Sequence, residues 1–166
     1  MRIVVSIVLV VAAFSCSCEA PKSRPEGTSA SGAPKAGLGT VMSDVARRFE
    51  LAGRAVLANR FELAEFEAGE IRELFETDVP AAELPKEGPT AHIPAMAKAF
   101  LATNAPELQK AAASKDRKAF EAAFEHTAAA CNGCHAASEK GFIQIPAVVG
   151  KVVPDLDLVG PTGSAR

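Results

Sequence analysis

The chain contains neither tryptophan nor tyrosine, so nine phenylalanines are the only aromatic side chains available to fill a core. It also lacks an apolar run long enough to span a bilayer comfortably. The longest, residues 3–14 with Ser6 inside it, falls short of the roughly 20 residues a membrane helix needs. An excess of one charge is missing too: 18 Lys and Arg stand against 20 Asp and Glu, a formal net charge of −2. Nothing electrostatic therefore points to nucleic acid as a partner. Strand-forming residues are scarce, because the 48% of the chain that is hydrophobic is largely alanine. Alanine-rich sequence punctuated by Phe suits closely packed helices, whereas strands favour β-branched and aromatic residues. A chain of 166 residues whose ends are set aside holds one domain and leaves no room for a large enzyme fold.

The ends read differently from the middle. Arg2 followed by the apolar run has the layout of a secretory signal, and residues 1–18 are expected to be one. Two readings of its end stay open. A lipoprotein-type signal would leave Cys16 or Cys18 as a lipidated N-terminus, although Phe14 is bulky for that motif; ordinary cleavage after Ala20 is the rival. Either one exports the chain to the periplasm, and either limits membrane contact to an N-terminal lipid anchor. Residues 19–39 are rich in Pro, Ser, Gly and Ala and cannot bury enough surface to offset their ordering entropy, which makes them a flexible linker. Residues 154–166 look similarly loose. The ordered domain is expected over residues 40–153.

Within it, apolar periodicity predicts four helices. The first covers residues 40–58 through Val41, Val45, Phe49, Ala52 and Val56, with a turn at Asn59-Arg60. The second covers residues 61–75 and presents Glu62, Glu65, Glu67, Glu70 and Glu73 as a solvated face. A loop marked by Pro80, Pro85, Gly88 and Pro89 follows. The third helix, residues 91–113, has Thr90 as its candidate cap and should kink or break near Asn104, because Pro106 lacks a backbone donor and crowds the preceding turn. The fourth, residues 116–138, has the clearest pattern: Phe120, Phe124, Thr127, Cys131 and Cys134 recur at steps of four and three, and Gly141 is expected to end it. Short connections suggest an all-α fold, an antiparallel four-helix bundle.

Cys131-Asn132-Gly133-Cys134-His135 is a C-x-x-C-H sequence, the pattern of c-type haem attachment. Two thiols three residues apart on a helix can each reach a vinyl group of one macrocycle, and the adjacent histidine can then direct a nitrogen at the iron. The C-x-x-C part alone also serves dithiol and zinc chemistry. A redox dithiol should lie near a βαβ pattern, which is missing. A structural zinc site needs four ligands, while His92 and His126 are scattered and Cys16 and Cys18 belong to the signal region. One covalent haem c is the expected cofactor. Export agrees with this, since c-type attachment is completed outside the bacterial cytoplasm.

The stretch Phe120-Glu121-Ala122-Ala123-Phe124, running into Ala130 and the Cys131–His135 motif, is similar to the last helix of the cytochrome c-prime family. The likeness extends over residues 91–141 and is general over the first two helices. It implies a four-helix bundle enclosing a haem near the C-terminal end of the last helix, with His135 as proximal ligand and the first helix lining the distal face. In that family some members leave the sixth iron position open and bind small gases. Others supply a Met early in the first helix and carry electrons, a place that Met42 occupies here. Such proteins often form homodimers through their first two helices. Two departures stand out: the second helix reads short, and Phe142-Ile143-Gln144-Ile145-Pro146 continues past the last helix, either as a cover for a haem edge or as plain packing.

Arg47, Arg48 and Arg54 are candidate partners for haem propionates, since guanidinium is a permanently charged planar fork. His92 and Met96 are weaker candidates for the distal position, Met96 reading as core. His126, nine residues before His135, sits about 180° round the same helix and reads as a surface residue. Single-electron transfer with an unidentified redox partner is the expected function. The alternative is a five-coordinate haem module that captures nitric oxide or carbon monoxide. An enzyme is not expected, because no acid–base group beside the haem is identifiable. Replacing both thiols (Cys131→Ala with Cys134→Ala) should abolish covalent haem; haem that resists acid-acetone extraction from that variant would overturn the assignment.

Overall fold

The computed structural model describes residues 36–84 and 87–155. The expected signal peptide, nearly all of the linker and the tail beyond Asp155 lie outside the described residues. Among the described residues every regular element is helical: α1 Leu38–Leu57, α2 Phe61–Ala81, α3 Ile93–Ala102, α4 Asn104–Ala113 and α5 Arg117–Ala137. They form a helical bundle in which α2 packs on α1, α3 and α4, and α4 packs on α5.

The apolar stripe of α1 is buried as its spacing requires, with Val41, Val45, Phe49, Ala52 and Val56 all in the core. The helix starts two residues earlier than Thr40, because Leu38 packs against the cluster of Val41, Val79, Ile93 and Ala97. It ends at the expected turn. Asn59 adopts φ 56°, and its N–H and that of Arg60 reach back to Val56 O and Ala55 O at 3.0 and 2.8 Å. Asparagine tolerates this left-handed conformation better than most residues.

The second helix is not short. It continues six residues beyond Phe75 to Ala81, with Pro80 in its final turn. There the proline forfeits a single backbone bond, and burial of Val79 against Val41 and Ile93 holds the turn in place.

The third predicted helix is two, α3 and α4, broken at Thr103 as Pro106 requires. Its start differs from expectation: Thr90 supplies no side-chain cap, and its carbonyl instead accepts the Ile93 N–H at 3.2 Å.

Asp116 caps α5, its carboxylate accepting the N–H groups of Lys118 and Ala119 at 2.8 and 3.2 Å. The far end closes before Gly141. Glu139 takes φ 58°, and the N–H groups of Glu139 and Lys140 bond Ala136 O and His135 O at 3.1 and 2.7 Å. At the near end the Arg117 guanidinium donates to Val56 O, Leu57 O and Asn59 Oδ1 at 3.1–3.2 Å, tying the start of α5 to the end of α1.

Phenylalanine does what the missing Trp and Tyr cannot. Phe124 of α5 stacks on Phe49 of α1 with ring centroids 3.9 Å apart, and Phe75 of α2 stacks on Phe100 of α3 at 4.2 Å. Gly53 permits the first stack, since a Cβ there would lie 3.1 Å from the Phe124 ring. Phe120, fully buried beside Phe124, anchors the other end of the core. Phe120→Ala should cost about 3–5 kcal/mol of stability, read as a lowered urea midpoint at unchanged slope; a loss under about 1 kcal/mol would contradict the packing described.

Candidate functional site

Beyond the Phe49–Phe124 stack the bundle opens into a cavity of about 1090 Å³. That lies at the upper end of small-molecule sites, which run to roughly 1,000 Å³. Its walls come from α1, α2, α3, the second half of α5 and the segment after it, and are mainly apolar: Val45, Phe49, Ile71, Phe75, Phe100 and Ile145 among them.

The α5 stripe leads straight into it. Thr127 is buried at the threshold, and Cys131, Cys134 and His135 follow on the cavity wall. Both cysteines are free thiols. Burial pushes the Cys131 thiol from its ordinary 9.0 up to about 12, with Cys134 adding to the rise. Burial raises Cys134 as well, tempered by the neighbouring Ser138 hydroxyl. A sulfur is a weak partner, however, and Ser138 Oγ is buried without a well-formed hydrogen bond. Neutral buried thiols make poor exchange nucleophiles and poor metal thiolates. Cys131, Cys134 and His135 also do not form, with each other or with any described side chain, a group of three able to hold a bare metal ion.

His135 is held from behind. Its Nδ1 lies 2.9 Å from the Ile143 carbonyl oxygen. A carbonyl can only accept, so Nδ1 carries the proton and donates it, which leaves the lone pair on Nε2. The carbonyl belongs to residues 141–155, which fold back along the cavity. Asn132 pairs with Ile145 in both directions: its Nδ2 donates to Ile145 O at 2.9 Å, and its Oδ1 accepts the Ile145 N–H at 2.7 Å. Farther on, the Asp155 N–H bonds Gln144 O at 2.8 Å, and the Val153 N–H bonds Glu50 Oε2 at 3.2 Å. Ile143, Ile145, Val153 and Pro154 line the cavity, so a piece of the expected tail belongs to its wall. Phe142 does not cover it, being 74% exposed under the Lys140 ammonium.

The other expected residues divide. Met42, Arg47 and Arg54 line the cavity; Arg48 does not. Arg48 bridges Glu67 and Glu70 across the α1–α2 seam at 3.0 and 2.9 Å. Those two glutamates are therefore not part of a solvated face, and Glu67 is buried, because the helical period turns them toward α1 alongside Ala64 and Ile71. His126 is exposed and paired with Glu107 at 3.2 Å, and His92 is exposed away from the cavity. Met96, a weaker distal candidate that also read as core, is half-buried and lines the cavity. Glu50 and Ser138 on the wall escaped the sequence reading. Glu50 has one carboxylate oxygen on Arg54 at 3.2 Å and the other on Val153 N. Ser138, four residues after Cys134, could have been found by extending the α5 stripe one more turn.

Comparison with family models, with curated proteins and with solved structures returns no match to this chain. Among the described residues no helix is long and apolar enough to cross a membrane.

The raised Cys131 value carries a pH dependence for the chain without haem. An unfolded thiol ionises near 9.0 and the folded one near 12, so the stabilisation is complete below 9.0 and is lost as pH climbs toward 12. Alkylation near neutral pH should label Cys134 before Cys131. Equal labelling rates, or an alkaline loss of stability that persists undiminished in Cys131→Ala, would contradict this environment.

Proposed function

We propose that the protein is an exported mono-haem c-type cytochrome of the c-prime kind that performs single-electron transfer. The observation that carries the reading is His135: its Nδ1–H is committed to the Ile143 carbonyl, so Nε2 is the free donor on a cavity wall that also bears both motif cysteines. That is the arrangement a histidine needs to ligate a metal through one ring nitrogen while the other fixes its tautomer. Cys131 and Cys134 would hold the haem by thioether bonds. The apolar walls suit the faces of a macrocycle, and the exposed Arg47 and Arg54 at the cavity suit its propionates.

When bound, the haem supplies one-electron exchange between Fe(III) and Fe(II). The chain's own residues bind it, orient it and exclude water. Glu50 has a structural part in this reading, with its two oxygens holding Arg54 and the returning segment. Met42, half-buried on α1 and lining the cavity, would be the distal ligand, and a thioether there raises the reduction potential and favours electron transfer.

The helices are taken to run antiparallel in sequence order, because residues 58–60 and 114–116 are too few to carry the chain back along a helix. Covalent haem attachment places the mature protein in the periplasm, freely soluble or held by a lipid on Cys16 or Cys18. A redox partner protein and a homodimer, its interface unassigned, belong to the same reading.

The apolar lining by Val45, Phe49 and Phe100 favours a second reading, an open iron position that captures nitric oxide or carbon monoxide. The visible spectrum of the exported protein separates the two. Sharp, split bands on reduction that become high-spin in Met42→Leu establish the electron carrier and its ligand. A broad high-spin reduced spectrum that shifts with carbon monoxide, unchanged by Met42→Leu, would overturn that assignment in favour of gas binding.

A further inference from the structure

Asn132 occupies a position that haem attachment leaves free, since the C-x-x-C-H chemistry asks only for the two thiols and the imidazole. Yet its side chain holds the returning segment at the cavity wall through two hydrogen bonds. The amide donates to Ile145 O and accepts from Ile145 N at 2.9 and 2.7 Å, pairing with that residue as a neighbouring strand would. Ile145 is buried, so the returning segment is pinned there by its side chain as well as by its backbone. Two residues earlier the Ile143 carbonyl accepts from His135 Nδ1 at 2.9 Å. The carbonyls of Ile143 and Ile145 thus both face α5, and each accepts from a side chain of the motif.

We infer that Asn132 is a positioning residue for His135: by fixing the Ile145 backbone it keeps the Ile143 carbonyl on Nδ1 and so sets the donor strength of Nε2. The consequence at iron rests on the haem reading above. The placement itself concerns only this chain's atoms. A carbonyl on Nδ1 makes the imidazole a stronger donor, which favours ferric over ferrous iron. Loosening the segment weakens that preference and raises the reduction potential. Losing the partner of a metal-bound histidine typically weakens the metal interaction about 10–100-fold. A tenfold loss of ferric preference corresponds to an upward shift of about 59 mV for one electron.

The test compares the full-length matured protein with Asn132→Ala and Asn132→Asp. The aspartate keeps an acceptor for the Ile145 N–H but loses the donor to Ile145 O. Covalent haem and helix content, read by extraction and circular dichroism, should match wild type. The potential should rise in Asn132→Ala, while in Asn132→Asp the charge of the new carboxylate, which favours ferric iron, offsets the rise. Nitrogen-15 NMR of His135 should show faster exchange of the Nδ1 proton. Unchanged potential and unchanged Nδ1 exchange, with haem attached, would overturn the inference. If the wild-type chain attaches no haem, the cytochrome reading fails by itself. The Nδ1 signal of that same chain then still decides: protected in wild type and lost in Asn132→Ala supports the positioning role, and no difference ends it. Should Asn132→Ala fail to fold, Asn132→Asp carries the comparison through its Nδ1 exchange.

Discussion

Phe124 lies flat against Phe49 and against the bare backbone of Gly53, and that contact fixes the rotation of α5 about its own axis. A helix turns about 100° with each residue. With Phe120 and Phe124 held inward, Thr127 and Cys131 must follow on the same side, and Cys134 and His135 come round just beyond them. A slip of one residue would carry the sulfurs out of the cavity wall and set the imidazole away from the Ile143 carbonyl. No single bond at the site holds this alignment. It is inherited from aromatic packing two and three turns away, which explains why the motif and the core share one stripe.

That stripe is also why α5 was legible in the sequence, nearly to the residue, while its neighbours were less so. Apolar periodicity marks what a helix buries, and Phe120, Phe124 and Thr127 are buried while the partly buried cysteines continue the same stripe. The break at Thr103 was equally readable, since a proline acts on its own backbone. Pro80 misled for a related reason: whether a proline ends a helix or rides in its last turn depends on what that turn packs against, and Val79 finds Val41 and Ile93 only in the folded chain. Arg48 misled likewise. It carries the same chemistry as Arg47 and Arg54, and only the face of α2 opposite it decides that two glutamates claim it.

The segment after α5 was the least legible part. Residues 141–155 have no helical or strand period, and what fixes them comes from distant places: an amide on α5, the imidazole, and a carboxylate on α1 that is 103 residues from Val153 in the chain. Local patterning cannot encode such partners. The cavity was visible only by implication, because a void is a property of several elements at once. Glu50 and Ser138 illustrate the two kinds of omission. Ser138 follows from helical spacing alone, whereas Glu50 acquires its place through the return of residues 141–155, whose long-range partners local patterning does not mark.

The Arg117 guanidinium fastens the first turn of α5 to the last carbonyls of α1, whereas the cavity meets α5 only from Thr127 onward. The pair has the geometry of tongs, with a pivot at one end and jaws at the other. Over a helix of 21 residues, about 30 Å long, a few degrees of tilt at the pivot become ångströms at the jaws. The spacing available to whatever sits between α1 and α5 is thus sensitive to a contact that does not itself line the cavity. Evolution could widen or narrow it by adjusting a surface arginine and an asparagine turn, leaving every cavity-lining side chain as it stands.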